Sequence, residues 1–195
     1  MDGDAAALMA RYCAGDKAAF AALYRLVAPR LLAYLKGMVG ERAAAEDLLQ
    51  QTFIKIHEAR EAYVRDADPV PWFYTIAHRT CLDELRRRKR ARVQVTKDGV
   101  VEDVASEASV PAAGEGEEDS TRPQYAVTLA ALHELPENQR QALLLTKVEG
   151  RSHAEAAAIL GTSVGAIKLR AHRAYEALRA RFRVNHKGTH KGDDA

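Results

Sequence analysis

Apolar side chains recur along this chain at steps of three and four and seldom alternate, a pattern that predicts helices and hardly a strand. The pattern is clearest in the last third. Val164, Ile167, Ala171, Ala174 and Leu178 share one stripe of a helix running to about Arg183. At about 100° per residue, Gly165, Lys168, Leu169, His172 and Arg173 fall on the opposite side. Before this helix, Ser152-His153-Ala154-Glu155 has the form of a capping box, with a hydroxyl for the N3 amide and a carboxylate that reaches back. A short helix then stops at Leu160-Gly161, where glycine takes the left-handed conformation, and Thr162 or Ser163 caps the next one. A lone amphipathic helix with a basic face would read as merely solvated. Two capped helices joined by a Gly-Thr-Ser turn predict a helix-turn-helix, whose second helix suits the major groove of DNA.

The same periodicity organises the rest. A helix is expected from Asp4 to Cys13, and a second from Asp16 with Phe20, Leu23, Tyr24 and Val27 inward. Pro29 should kink or restart that helix, which continues from Leu31 to Met38 and closes at Gly40. A third covers about Ala43 to Glu61, with Leu49, Phe53 and Ile56 inward. A fourth runs from about Pro71, a permitted first-turn proline, to Arg90, anchored by Trp72, Phe73, Ile76 and Ala77. Further on come a helix from Tyr125 to Glu134, a break at Leu135-Pro136, and a helix to Val148. Between Val95 and Pro123 the periodicity vanishes into Gly, Ser, Ala, Pro and acid, which cannot bury enough apolar surface to offset its ordering entropy. The expected architecture is therefore all-α: a helical domain over 1–94, a mobile linker over 95–123, a helix-turn-helix domain over 124–184, and a frayed tail over 185–195. His186 and His190 in that tail are read as part of a disordered end, not as a metal site.

Charge sharpens the picture. The net charge of +2 conceals six basic residues among the seven from Arg86 to Arg92, and eight acidic residues with no basic one from Asp98 to Asp119. Cys13 and Cys81 lie far apart without metal-ligand spacing, as expected of reduced thiols in a cytoplasmic protein. No apolar run approaches the ~20 residues that span a bilayer, so no membrane insertion is expected. No catalytic constellation, metal set or cofactor loop emerges. Seven histidines are scattered, and the pairs Glu46-Asp47 and Asp83-Glu84 point apart on a helix.

The fourth helix carries a second cationic surface. Arg79, Arg86, Arg87 and Arg90 lie on one side of it, and Trp72 and Ile76 mark the other. Tyr63 to Pro69 reads as a loop just before it. An aromatic beside a loop and a basic helix is suited to holding an unstacked base while cations track the phosphates. For Trp72 a core role is an equal alternative. Six crowded arginines and lysines repel one another unless phosphates or acids neutralise them.

Together these segments resemble the bacterial sigma factors of the extracytoplasmic-function (ECF) group. The run Glu46-Asp47-Leu48-Leu49-Gln50-Gln51-Thr52-Phe53-Ile54-Lys55, the run Pro71-Trp72-Phe73-Tyr74-Thr75-Ile76-Ala77-His78-Arg79, and Leu82-Asp83-Glu84-Leu85 with its arginines resemble region 2. Leu135-Pro136-Glu137-Asn138-Gln139-Arg140, Val148-Glu149-Gly150 and Gly161 to Arg173 resemble region 4. The resemblance covers about Asp16 to Phe182 apart from the linker.

It implies that Asp47, Gln50, Gln51 and Lys55 face the clamp helices of the RNA polymerase β′ subunit. It assigns the −10 promoter element to Tyr63, Arg65, Asp66, Trp72, His78, Arg79, Arg86 and Arg87, with a flipped base held in the loop. It assigns the −35 element to Ser152, Lys168, Leu169, Arg170, His172 and Arg173, and packs region 4 against the β-flap. An acidic linker suits the basic RNA exit channel it would thread, and an anti-sigma protein is an implied partner. Two positions depart from the family pattern: Leu169 stands where serine is frequent, and Arg79 where many relatives have asparagine. The sequence carries two competing readings. A sigma-like decoy for an anti-sigma protein would be expected to lose the basic residues of both helices, which this chain keeps. An enzyme or ligand-sensing regulator would need a pocket-bearing domain that the first 94 residues do not suggest.

Overall fold

The computed structural model describes residues 2–64, 67–97 and 123–188, and among these residues there are helices and turns but no strand. The helices are α1 (Asp2–Cys13), α2 (Lys17–Val39), α3 (Arg42–Glu58), α4 (Pro69–Lys97), α5 (Pro123–Glu134), α6 (Glu137–Leu143), α7 (His153–Leu160) and α8 (Val164–Gly188). A single 3-10 turn (Arg60–Ala62) follows α3, and a widened π turn (Leu144–Val148) follows α6. Two expected boundaries shift: α4 continues through 95–97, the start of the expected linker, and α8 continues through 185–188, His186 included, where a frayed tail was expected. The rest of the linker up to 122 and the tail from 189, with His190, lie outside the described residues.

Asp16 starts α2 by accepting the amides of Ala18 and Ala19, and Arg11 holds that carboxylate below the usual range. The helix ends at Gly40, whose φ of +81° puts it in the left-handed region. Leu23, Leu31, Tyr34, Leu35 and Met38 make α2 the buried axis of the first half, with α1, α3 and α4 around it.

Four expectations are corrected. Of the kink or restart expected at Pro29, the restart is absent: α2 is continuous from Lys17 to Val39 with Pro29 inside it. Tyr24 is exposed and caps the Phe53 ring at 4.6 Å instead of pointing inward. Val164 is likewise 40% exposed, because at the first residue of α8 the stripe has not yet reached the core. By length and composition α2 would pass for a membrane-spanning helix, although no such run was expected; its apolar face is instead covered by the other helices.

The second half is built on the predicted cues. Ser152 Oγ accepts the Glu155 amide at 3.1 Å, and the Glu155 carboxylate accepts the Ser152 amide at 2.8 Å. Gly161 sits at φ +59°, and Ser163, rather than Thr162, caps α8 by accepting the Ala166 amide at 3.2 Å. The helix expected to reach Val148 instead turns π-helical at Leu144 and bends back through Gly150 at φ +65°. The two halves are not separate bodies. One continuous apolar core runs from Ala5 to Ala174 across both, and α7 lies against α4.

Candidate nucleic-acid interface

On α8 the residues expected to read DNA form one open face. Ile167, Ala171 and Ala174 are buried against the rest of the second half, which turns Lys168, Leu169, His172 and Arg173 outward, with Arg170 on the flank. Leu169 is 49% exposed, a large apolar side chain that no core residue covers. Neither Lys168 nor Arg170 has an acidic residue three or four positions away on the helix, so no carboxylate within one turn competes for them; Glu176 follows one turn after Arg173. Ser152 is exposed at the start of α7, with its hydroxyl engaged in the cap.

The first half presents its cations differently. Arg79, Arg86 and Arg87 are exposed along α4. Arg87 donates to Glu84 at 2.7 Å and Arg88 donates to the same carboxylate at 2.8 Å, which pulls the Glu84 pKa down to about 2. Arg86 lies 3.5 Å from Asp83. The crowding of positive charge is thus relieved on the helix itself by Asp83 and Glu84, one turn back. Of the two neutralisers expected from sequence, phosphates or acids, acids on the chain itself meet Arg86, Arg87 and Arg88.

The aromatic and histidine candidates are packed. Tyr63 is buried, its hydroxyl donates to the Ala67 carbonyl, and its ring lies 5.6 Å from Trp72. Trp72 is half-buried against Phe73. His78 is buried, with Nδ1 2.9 Å from the Tyr34 hydroxyl; burial first, and then Arg79 and Arg86, lower its pKa to about 4. In this arrangement neither Tyr63 nor His78 is presented to a strand. Arg65 and Asp66 lie outside the described residues.

On α3, Asp47, Gln50, Gln51 and Lys55 are all exposed, because Leu48, Leu49, Thr52 and Phe53 take the inner side. Lys55 reaches Thr80 on α4 at 3.1 Å. Ile54 is 57% exposed in the same band, an apolar residue that the sequence reading had left out of this surface.

A polar knot between the halves also escaped the sequence reading. Glu149 is 6% exposed, and its carboxylate accepts the Tyr74 hydroxyl and lies 3.5 Å from Arg30 Nε. Arg30 also donates to the Glu149 carbonyl at 2.8 Å, and Arg151 sits 5.8 Å from the centre of the Tyr74 ring. Burial raises the Glu149 pKa above the usual carboxylate range despite Tyr74, Arg30 and Arg151. These residues come from three distant stretches, and none of them stands in a charge run. The one local signal was Gly150, next to Glu149, in a turn.

Fold and surfaces together define a two-part helical DNA-binding chain. The comparisons agree. Residues 23–91 match the family model for Sigma-70 region 2, and residues 126–178 that for Sigma-70 region 4. The chain is 39% identical over 171 residues to RNA polymerase sigma factor CarQ of Myxococcus xanthus, covering 88% of this chain and 93% of that one. It is 34% identical over 179 residues to ECF RNA polymerase sigma factor SigF of Caulobacter vibrioides, covering 91% and 93%. Among solved structures it resembles the sigma factor RpoE of Bartonella quintana, crystallised with the anti-sigma factor NepR, at a TM-score of 0.70 and 26% identity over 85% of this chain and 97% of that one. CnrH in complex with the cytosolic domain of CnrY shares the fold, at a TM-score of 0.68 and 23% identity over 93% and 98%. The chain belongs to the ECF sigma factors of RNA polymerase. As such it binds core RNA polymerase and directs promoter recognition and transcription initiation.

Proposed function

We propose that the outer face of α8 reads the −35 element, with Lys168, Arg170 and Arg173 on phosphates and base edges and His172 and Leu169 at the groove floor. The observation that carries this reading is the open face itself: cations and an uncovered leucine on a helix that a capped turn projects away from the core. Leucine offers a thymine methyl a contact and no hydrogen bond, so its preference is for shape and methyl groups. Ser152 stands at the start of α7, where its neighbourhood can meet a phosphate.

The −10 element falls to α4 and the loop before it: Tyr63, Arg65, Asp66, Trp72, His78, Arg79, Arg86 and Arg87. Tyr63 and His78 are packed away here, so that role requires the loop and the surroundings of α4 to rearrange on DNA. Melting then draws on captured bases and phosphate contacts, with no nucleotide hydrolysis by this chain. Asp47, Gln50, Gln51 and Lys55, with Ile54 among them, form the surface for the β′ clamp helices, and region 4 meets the β-flap. The working division is 1–94 for region 2, 95–123 for an acidic linker and 124–184 for region 4. A cytoplasmic location fits this work. An anti-sigma protein is the further partner, by analogy with the Bartonella quintana complex. Run-off transcription with purified core polymerase, on promoter DNA taken from upstream of the chain's own gene, tests the reading. A defined start site that depends on this chain is the expected result; its absence with well-folded protein overturns the assignment.

A further inference from the structure

We infer that Arg79 is the base reader of α4, and that it selects a guanine in the single strand of the −10 element, about two or three nucleotides from the base held beside Trp72. The inference rests on the −10 assignment proposed above and adds to it a base and a position.

The arginines of α4 differ in what already occupies them. Arg87 and Arg88 donate to Glu84, Arg86 lies 3.5 Å from Asp83, and Arg90 Nε donates to the Arg86 carbonyl at 3.4 Å. Arg79 is exposed and makes no hydrogen bond or ion pair among the described residues. A guanidinium carries five donors and no acceptor, so Arg79 presents an unspent fork to a passing strand.

Position then separates a base contact from a phosphate contact. Trp72, Thr75, Arg79, Asp83 and Arg86 follow one another at steps of three and four, so they form one strip of α4. Trp72 thus stands at the head of the strip that carries the arginines, and not across the helix from them as the sequence reading had it. Trp72 and Thr75 are half-buried, and the other three are exposed. Seven residues of helix separate Trp72 from Arg79, about 10 Å along the axis, the rise of about three stacked bases. A strand laid along the strip with one base beside Trp72 therefore brings a different base to Arg79. Asp83 follows one turn after Arg79, and its negative charge opposes a phosphate seated there. The neutral edge of a base meets no such repulsion. Arg86 and Arg87, further along, are left for the backbone.

Guanine is the base that fits the fork. Its O6 and N7 are two adjacent acceptors. Adenine sets a donor beside its acceptor, cytosine presents a donor, and thymine has one acceptor next to a methyl group. Asparagine at the same position would suit adenine instead, which gives the test its sign.

The experiment uses holoenzyme assembled from core polymerase and the full chain. The probes are fluorescein-labelled single-stranded oligonucleotides covering the −10 segment upstream of the chain's own gene, with each position carrying each base in turn. One position should favour guanine by about 5-fold or more. Placing 7-deazaguanine there, which lacks the N7 acceptor, should cost several-fold in affinity. Arg79→Asn should move the preference at that position alone from guanine to adenine, and Arg79→Ala should level it. Because Arg79 is exposed and unpaired, both variants should unfold in urea with wild type, so a lost preference is not a lost fold.

Three results overturn the inference: no guanine preference at any position in wild type, an Arg79→Asn variant with wild-type preferences, or an Arg79→Ala variant that weakens all oligonucleotides alike and lowers the salt dependence by about one phosphate contact. The −10 assignment survives each of these if Arg86→Ala with Arg87→Ala still weakens strand binding. If that double variant also binds like wild type, the −10 assignment itself is overturned.

Discussion

The two DNA-facing helices reach the surface by opposite routes. On α8 the sequence places Lys168 and Arg170 with no acid within one turn, Glu176 following one turn after Arg173, and the structure leaves the cations, together with Leu169, open to solvent. On α4 the cations share their helix with Asp83 and Glu84, and the aromatic and histidine groups beside them are packed inward. On the proposed assignment, the contrast means that region 4 presents its reading face as it stands, whereas region 2 would exchange internal partners for DNA. That order suits their tasks. Reading an intact groove needs a rigid helix, and opening a duplex needs groups that are released only when DNA offers something better.

The sharpest way to break the comparison is to strip α8. Lys168→Ala combined with Arg173→Ala should weaken binding to a −35-containing duplex by about 10- to 100-fold, at 1–3 kcal/mol for good base contacts, while core polymerase binding is retained. Unchanged promoter selectivity would show that this open face is not the reader.

Next in size is a stability effect confined to region 2. The His78 pKa lies at about 4 in the folded chain against an ordinary 6.5, so the unfolded chain binds more protons between those values. The stability contributed by neutral His78 is complete above about pH 6.5 and is lost as pH falls toward 4, by about 2 kcal/mol at pH 5. Urea melts at the two ends of that window should show the loss, and His78→Gln should flatten it. A wild-type chain equally stable throughout would contradict a packed histidine beside Tyr34.

The smallest effect probes the internal pairing on α4. Glu84→Gln releases Arg87 and Arg88 from their shared carboxylate. It should raise affinity for a −10 strand by a few-fold at low salt and steepen the salt dependence by about one phosphate contact. Arg86→Ala with Arg87→Ala should move the other way and slow opening of the −10 region in permanganate footprinting. Identical behaviour of the Gln and Ala variants would mean that Glu84 does not hold these arginines in reserve.

Helix identity, the capping box, the Gly161 stop and the outward set of α8 were all legible in the sequence, because each depends on residues within one or two turns of one another. The same locality explains the errors. Tyr24 and Val164 fit the helical period, but what covers a side chain is decided by neighbours far along the chain, and there nothing covers them fully. Pro29 carries the local signal of a kink or restart, yet α2 runs through it without restarting, between buried Val27, Ala28 and Leu31.

The sequence by itself determined the helices, their caps and the faces that carry charge, since spacing and side-chain chemistry are properties of short segments. Only the tertiary structure decided that Tyr34 takes in His78, that Asp83 and Glu84 take up neighbouring arginines, and that Glu149 closes one half on the other. The last of these joins residues 75 and 119 positions apart, and no local pattern encodes a contact made by folding across that distance.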